Sequence, residues 1–120
     1  NSFFGYCLTN LKNTGTIKFD INQHTIKDFI DVGTVCELIG LINDFKFGGT
    51  YNLSSNVGLS IGQLANKLIE GFGTGKLIVE SDKLDQQFIL DNTKLLKQLK
   101  IETLNIDLNE IIKNRNCYGK

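Results

Sequence analysis

The sequence predicts a single α+β unit, and three observations carry that expectation. Segments whose apolar residues recur three and four apart alternate irregularly with short runs of period two. Two helix starts are spelled out by a cap residue followed three positions later by Gln or Glu, at Ser60 and at Asp107. No repeat, low-complexity tract or linker divides the chain.

Phe3 to Leu11 is apolar with polar interruptions at helical spacing, and Asn13-Thr14-Gly15 supplies turn formers at its end, which predicts a helix. Ile17, Phe19 and Ile21 alternate with Lys18 and Asp20, the period of a half-buried strand. A second strand is expected over Ile26 to Ile30. From Val32 onward, Val35, Cys36, Ile39 and Ile42 fall on one face of a helix. Gly48-Gly49 then turns the chain into a short strand at Tyr51 to Leu53.

At Ser60 a capping box with Gln63 starts a helix, and Leu59 is placed to staple onto Leu64. Its buried stripe is Leu64, Ala65, Leu68, Ile69 and Phe72. Gly71, Gly73 and Gly75 stop it, and Leu77 to Glu80 reads as a strand. A short helix carrying Leu95, Leu96 and Leu99 follows Asp91. The last helix has Asp107 as cap, Glu110 three residues on and Ile106 placed to pack against Ile111; the polar tail after Asn114 is expected to fray.

With 41% hydrophobic and 22% charged residues, the 120-residue chain has the make-up of one globular domain or a large piece of one. Thirteen basic residues balance thirteen acidic ones, so no net field steers it to nucleic acid or to an anionic membrane, and neither is expected as a partner. Its apolar stretches are a few residues long, against the roughly 20 that span a bilayer, so a soluble protein is expected. Cys7, Cys36 and Cys117 are odd in number and widely spaced, which fits free thiols in a reducing cytoplasm better than a disulfide framework or a zinc site. The sequence contains no methionine, even at position 1, which suggests an engineered, processed or partial chain, and the motifs below favour a fragment.

The cluster Gly71-Phe72-Gly73-Thr74-Gly75-Lys76 lacks the spacing of a phosphate loop, since Glu70 and Leu77 stand where that loop needs Gly and Ser or Thr. It also follows a helix, whereas dinucleotide-binding glycines follow a strand and open a helix. It therefore reads as a helix terminator. His24 is the single histidine and reads as a solvated loop residue, so no metal site is expected. Asp82 and Asp85 read as surface charges. No tyrosine is followed four residues later by lysine.

Taken in order, Thr25-Ile26-Lys27-Asp28-Phe29-Ile30-Asp31-Val32, then Gly49-Thr50-Tyr51-Asn52-Leu53-Ser54-Ser55, then Ser60-Ile61-Gly62-Gln63-Leu64-Ala65, resemble the C-terminal region of the extended short-chain dehydrogenase/reductase family. That family includes UDP-galactose epimerase, sugar 4,6-dehydratases and CDP-abequose synthase. Leu90-Asp91-Asn92-Thr93-Lys94-Leu95 resembles its last landmark, an "Asp-x-x-Lys" helix, and Asn1-Ser2-Phe3-Phe4 resembles the lead-in to its substrate-domain helix. The pattern departs at three places. Lys27 replaces an arginine, Gly33-Thr34 replaces an aspartate pair, and Lys100 replaces the glycine of a Leu-Gly pair.

The resemblance implies the C-terminal, nucleotide-sugar-binding portion of an α/β enzyme whose Rossmann lobe binds NAD or NADP. The glycine-rich loop, the Ser or Thr and the Tyr-x-x-x-Lys pair of such an enzyme would all lie upstream, so this portion alone is expected to be inactive, to hold no cofactor and to carry no catalytic residue. The implied partner is a nucleoside diphosphate sugar, and the implied role is in polysaccharide biosynthesis. Lys27 would meet the diphosphate, with Lys83 as a looser candidate; the alternative is that both are solubilising surface lysines. Phe19 would stack on the base or else pack in the core. Asn1, Ser2 and Phe3 would reach the sugar or diphosphate, or form a frayed terminus. An apolar face left by the missing lobe would favour homo-oligomerisation. A non-catalytic binding or interaction module is the other reading of the same chain.

Overall fold

The computed structural model describes residues 2–46, 48–107 and 109–110. Among the described residues, four helices and four short strands follow in the order α1 (Phe3–Thr14), β1 (Thr16–Phe19), β2 (Ile26–Asp28), α2 (Val32–Phe45), β3 (Gly58–Ser60), α3 (Ile61–Phe72), β4 (Lys76–Val79) and α4 (Thr93–Leu99). The expected α+β mixture is what forms.

The first helix is capped by Ser2, whose hydroxyl accepts from the Gly5 amide at 3.0 Å, and it ends on Gly15 in the left-handed region at φ 68°. It thus runs one turn past the expected end. β1 leaves directly from that turn and pairs in parallel with β4, in the register Thr16 to Lys76 through Phe19 to Val79. A Lys18–Glu80 ion pair at 2.9 Å lies on its exposed side.

The helix at Ser60 carries the full capping box: the Ser60 hydroxyl accepts from the Gln63 amide at 3.1 Å, and Gln63 Oε1 accepts from the Ser60 amide at 3.0 Å. Such a cap contributes on the order of 1 kcal/mol. Ile61, Leu64, Ala65 and Leu68 are buried, and with Cys7 and Leu11 of α1 and Ile17 and Phe19 of β1 they form the larger core. Leu59, Ile69 and Phe72 pack against its margin. Gly71 lies inside this helix; the stop is Gly73, at φ 92°, whose amide returns to the Ile69 and Glu70 carbonyls.

Three further expectations are corrected. Tyr51 to Leu53 is not a strand, because among the described residues no strand lies beside it to satisfy its backbone. Asn52 Nδ2 and Ser54 Oγ instead donate to the Asp91 and Leu90 carbonyls, while Tyr51 and Leu53 pack into a second core. The strand that pairs with β2 is β3, antiparallel, with Ile26 opposite Ser60, Lys27 opposite Leu59 and Asp28 opposite Gly58. β2 itself stops at Asp28, two residues short of the expected end.

The third correction concerns α2. Its buried residue is Leu38, packed with Leu95 and Leu99 of α4, and Leu41 and Ile42 flank that contact. Cys36 is exposed and Ile39 is 52% exposed. The helix is apolar on more than one face, so helical periodicity alone does not select the stripe; α4 does. The Asp107 cap forms, its Oδ1 accepting from the Asn109 and Glu110 amides. Ile111, Asn114 and Cys117 lie outside the described residues.

Candidate functional site

Two neighbourhoods gather the residues singled out by the sequence. The first is an apolar cavity of about 440 Å³ where the N-terminal ends of α1 and α2 meet α3; Ser2, Phe3, Phe4, Phe29, Ile30, Asp31, Val32, Val35, Leu64 and Ile106 line it. That volume falls in the range of small-molecule sites. Phe3 stacks on Phe19 at 5.4 Å between centroids and tilts against Phe29 at 5.7 Å. Phe19 is 4% exposed, so its ring is committed to the core and offers no face to a ligand. Phe3, Phe4 and Phe29 are the aromatic side chains that line the cavity. Both helix starts give the cavity rim a partial positive charge. At α2 the Asp31 carboxylate offsets it, since it caps that helix through the Thr34 amide at 2.9 Å and hydroxyl at 2.5 Å.

The second neighbourhood surrounds Lys27. Residues 82–91 form an extended strap along the free edge of β2. Asn22 donates from its amide to the Lys83 carbonyl at 2.8 Å, and the Phe88 amide donates to the Ile26 carbonyl at 3.2 Å. Gln87 Oε1 accepts from the Ile26 amide at 3.1 Å, and Thr25 Oγ1, fully buried, accepts from the Asp85 amide at 3.3 Å. Asp28 ties the strap to the loop before β3: its carboxylate accepts from the Ser55 amide and hydroxyl at 2.9 and 2.6 Å, from the Asn56 amide at 3.0 Å and from the Leu90 amide at 3.2 Å. Charge-assisted bonds of this kind are among the strongest a surface loop can have.

The Lys27 ammonium sits under this strap. It lies 3.2 Å from Asp85 Oδ2, donates to the Gln86 carbonyl and stands 5.1 Å over the Phe88 ring. A hydrogen bond from the Gln86 backbone, with the Lys27 ammonium adding to it, holds the Asp85 carboxyl below its ordinary value. Asp85 is thus Lys27's partner as well as a surface charge.

The structure stacks Phe3 on Phe19, lines the cavity with Ser2 and Phe3, and places Lys27 and Lys83 at the strap. It does not bring the strap lysines into the cavity lining; Phe29, one residue past β2, is the nearest link in sequence between the two neighbourhoods. Asn1 lies outside the described residues. Asp85, Phe88, Asp28 and Phe29 were not singled out as site residues from the sequence, since each gains its role from a contact dozens of positions away. The one available signal was Asp28-Phe29, adjacent to Lys27 in the same motif. His24 is exposed, with its amide donating to Asn22 Oδ1 at 2.8 Å. Among the described residues no group of three or more His, Cys, Asp or Glu is placed to hold a metal, and no helix is long and apolar enough to cross a membrane.

The glycine cluster does not fit a dinucleotide. Gly73 closes the C-terminal end of α3, where carbonyls rather than amides face outward, and a Cβ at Gly75 would meet Leu11 at 2.6 Å, so that turn is packed against α1.

No protein-family model matches the chain, and no curated protein sequence does. Solved structures do match in fold. One is an NAD-dependent NDP-hexosamine 5,6-dehydratase, TunA, involved in tunicamycin biosynthesis, with a TM-score of 0.80 at 12% identity over all of this chain and 41% of that one. Another is RMD from Pseudomonas aeruginosa, solved in complex with NADPH, with a TM-score of 0.71 at 12% identity over 92% of this chain and 37% of that one. The chain therefore shares the fold of a part of two NAD(P)-binding proteins and spans about two fifths of their length.

Proposed function

We propose that this chain is the nucleotide-sugar-binding portion of an NAD(P)-dependent epimerase, dehydratase or reductase, with the redox chemistry supplied by a separate cofactor-binding lobe. The observation that carries the reading is the fold match of the whole chain to part of TunA, a protein that acts on an NDP-hexosamine with NAD. The order of motifs along the sequence from Asn1 to Leu95 supports the same reading. In this role Lys27 faces the diphosphate, and the cavity bordered by Ser2, Phe3, Phe4 and Phe29 takes an uncharged part of the ligand. Lys83, on the outer run of the strap, is a second cation for the same anion. This chain's residues bind and orient; none is assigned a proton transfer.

The test is titration calorimetry with UDP-, CDP- and dTDP-sugars on the natural polypeptide that carries this chain. Lys27→Ala is expected to weaken binding by roughly 1.5 to 3 kcal/mol, the loss of one charge-assisted contact. Lys27→Arg is expected to bind as well or better, since the guanidinium supplies a forked donor. Salt weakens the wild type more than the alanine variant. Equal affinities of wild type and Lys27→Ala at low salt return Lys27 to the surface.

A further inference from the structure

Lys27 is the cation best placed to meet an anionic ligand, and its ammonium is already engaged. Asp85, the Gln86 carbonyl and the Phe88 ring all reach it from one strap, leaving the Lys27 side chain 19% exposed. The strap is anchored without Asp85's carboxylate: Asn22 holds Lys83, Ile26 holds Phe88 and Asp28 holds Leu90. The Asp85 side chain is 52% exposed, so rotation about its own bonds carries the carboxylate into solvent while those anchors stay in place.

We propose that Asp85 is a tethered competitor for the ligand's anion: its carboxylate stands where a diphosphate oxygen would meet Lys27, and the ligand enters by turning that side chain out. This rests on the reading of Lys27 given under the proposed function and adds its regulation. A diphosphate oxygen and a carboxylate oxygen are both anionic acceptors for an ammonium, and the two cannot share one donor position without like-charge repulsion. Apparent affinity is lowered by the fraction of molecules in which the site is free. An exposed ion pair biases that fraction by a factor of a few, and the repulsion adds to it.

The experiment is calorimetric titration of the natural polypeptide with UDP and with inorganic pyrophosphate. It compares wild type, Asp85→Asn, Asp85→Ser, Lys27→Ala and the Lys27→Ala/Asp85→Asn double variant, each checked for native circular dichroism. Asp85→Asn and Asp85→Ser are expected to bind about three- to tenfold more tightly than wild type. The gain is expected to shrink with salt and to vanish in the Lys27→Ala background. Equal affinity of wild type and both Asp85 variants, with binding lost in Lys27→Ala, overturns the competitor and leaves Lys27 as the anion's partner. Weaker binding in folded Asp85 variants also overturns it and makes Asp85 a positioning residue. Equal affinity in all five proteins, or binding by none, overturns both the competitor and the reading of Lys27.

Discussion

Cys7 sits with no exposed surface among Leu11, Ile17 and Leu64, and burial pushes its thiol up to about 12 from an ordinary value of 9.0. The folded chain therefore keeps a proton that the unfolded chain releases between about pH 9 and 12. Over that window the unfolded state binds fewer protons, so Cys7's contribution to stability is present below pH 9 and is lost as pH rises toward 12. Denaturation midpoints measured from pH 8 to 10.5 are expected to fall faster for wild type than for Cys7→Ala, which lacks the titrating group. At pH 8 iodoacetamide is expected to modify exposed Cys36 and spare Cys7. Equal labelling rates at the two positions would show that α1 opens more readily than its packing implies.

Between α2 and α3 the elements differ in how firmly their own residues define them. In α3 the cap, the apolar stripe and the terminating Gly73 agree, and the buried face is the one the spacing predicts. In α2 the cap is equally clear at Asp31, yet the apolar residues surround the helix, and burial falls on Leu38 rather than on Cys36 and Ile39. Two neighbouring substitutions separate these faces. Leu38→Ala is expected to cost about 2–4 kcal/mol in chemical denaturation, the usual range for a cavity left in a packed contact. Ile39→Ala is expected to stay within about 0.5 kcal/mol, as for other exposed positions. The reverse ranking would show that α2 turns its other face to the core.

At the scale of the molecule, the shape is an open slab of 46 × 35 × 22 Å with a radius of gyration of 16.0 Å. A compact chain of this length has a radius of about 14 Å. The accessible surface is 8080 Å², against roughly 6,500 Å² for a compact monomer of this mass. Val32, Ile39 and Phe45 on α2 and Leu84, Phe88 and Ile89 on the strap contribute large apolar side chains to that surface. In the proposed role such faces are closed by a cofactor lobe or by a second copy. The chain expressed by itself is accordingly expected to bind a hydrophobic dye and to associate as its concentration rises, followed by light scattering. Monomers at high concentration without dye binding would count against that role.

What the sequence by itself determined was everything written in short-range chemistry. The helix at Ser60, the Gly15 and Gly73 stops, the alternation of Ile17 and Phe19 and the Leu95-Leu96-Leu99 stripe all depend on residues within one or two turns of each other. The sequence leaves Phe19 between core and ligand, and Lys27 between ligand and surface, because both choices turn on what lies across the fold. Tertiary structure buries Phe19 in the core and surrounds the Lys27 ammonium with Asp85, the Gln86 carbonyl and the Phe88 ring. The parallel pairing of β1 with β4, β3 in place of a strand at Tyr51, the selection of Leu38 by α4 and the strap over Lys27 join positions 30 to 61 apart. Neither hydrophobic period nor capping chemistry carries information over that separation. An extended segment such as 82–91 has no period of its own, and it takes its course from the Ile26 carbonyl and the Asp28 carboxylate of β2, which accept from its Phe88 and Leu90 amides.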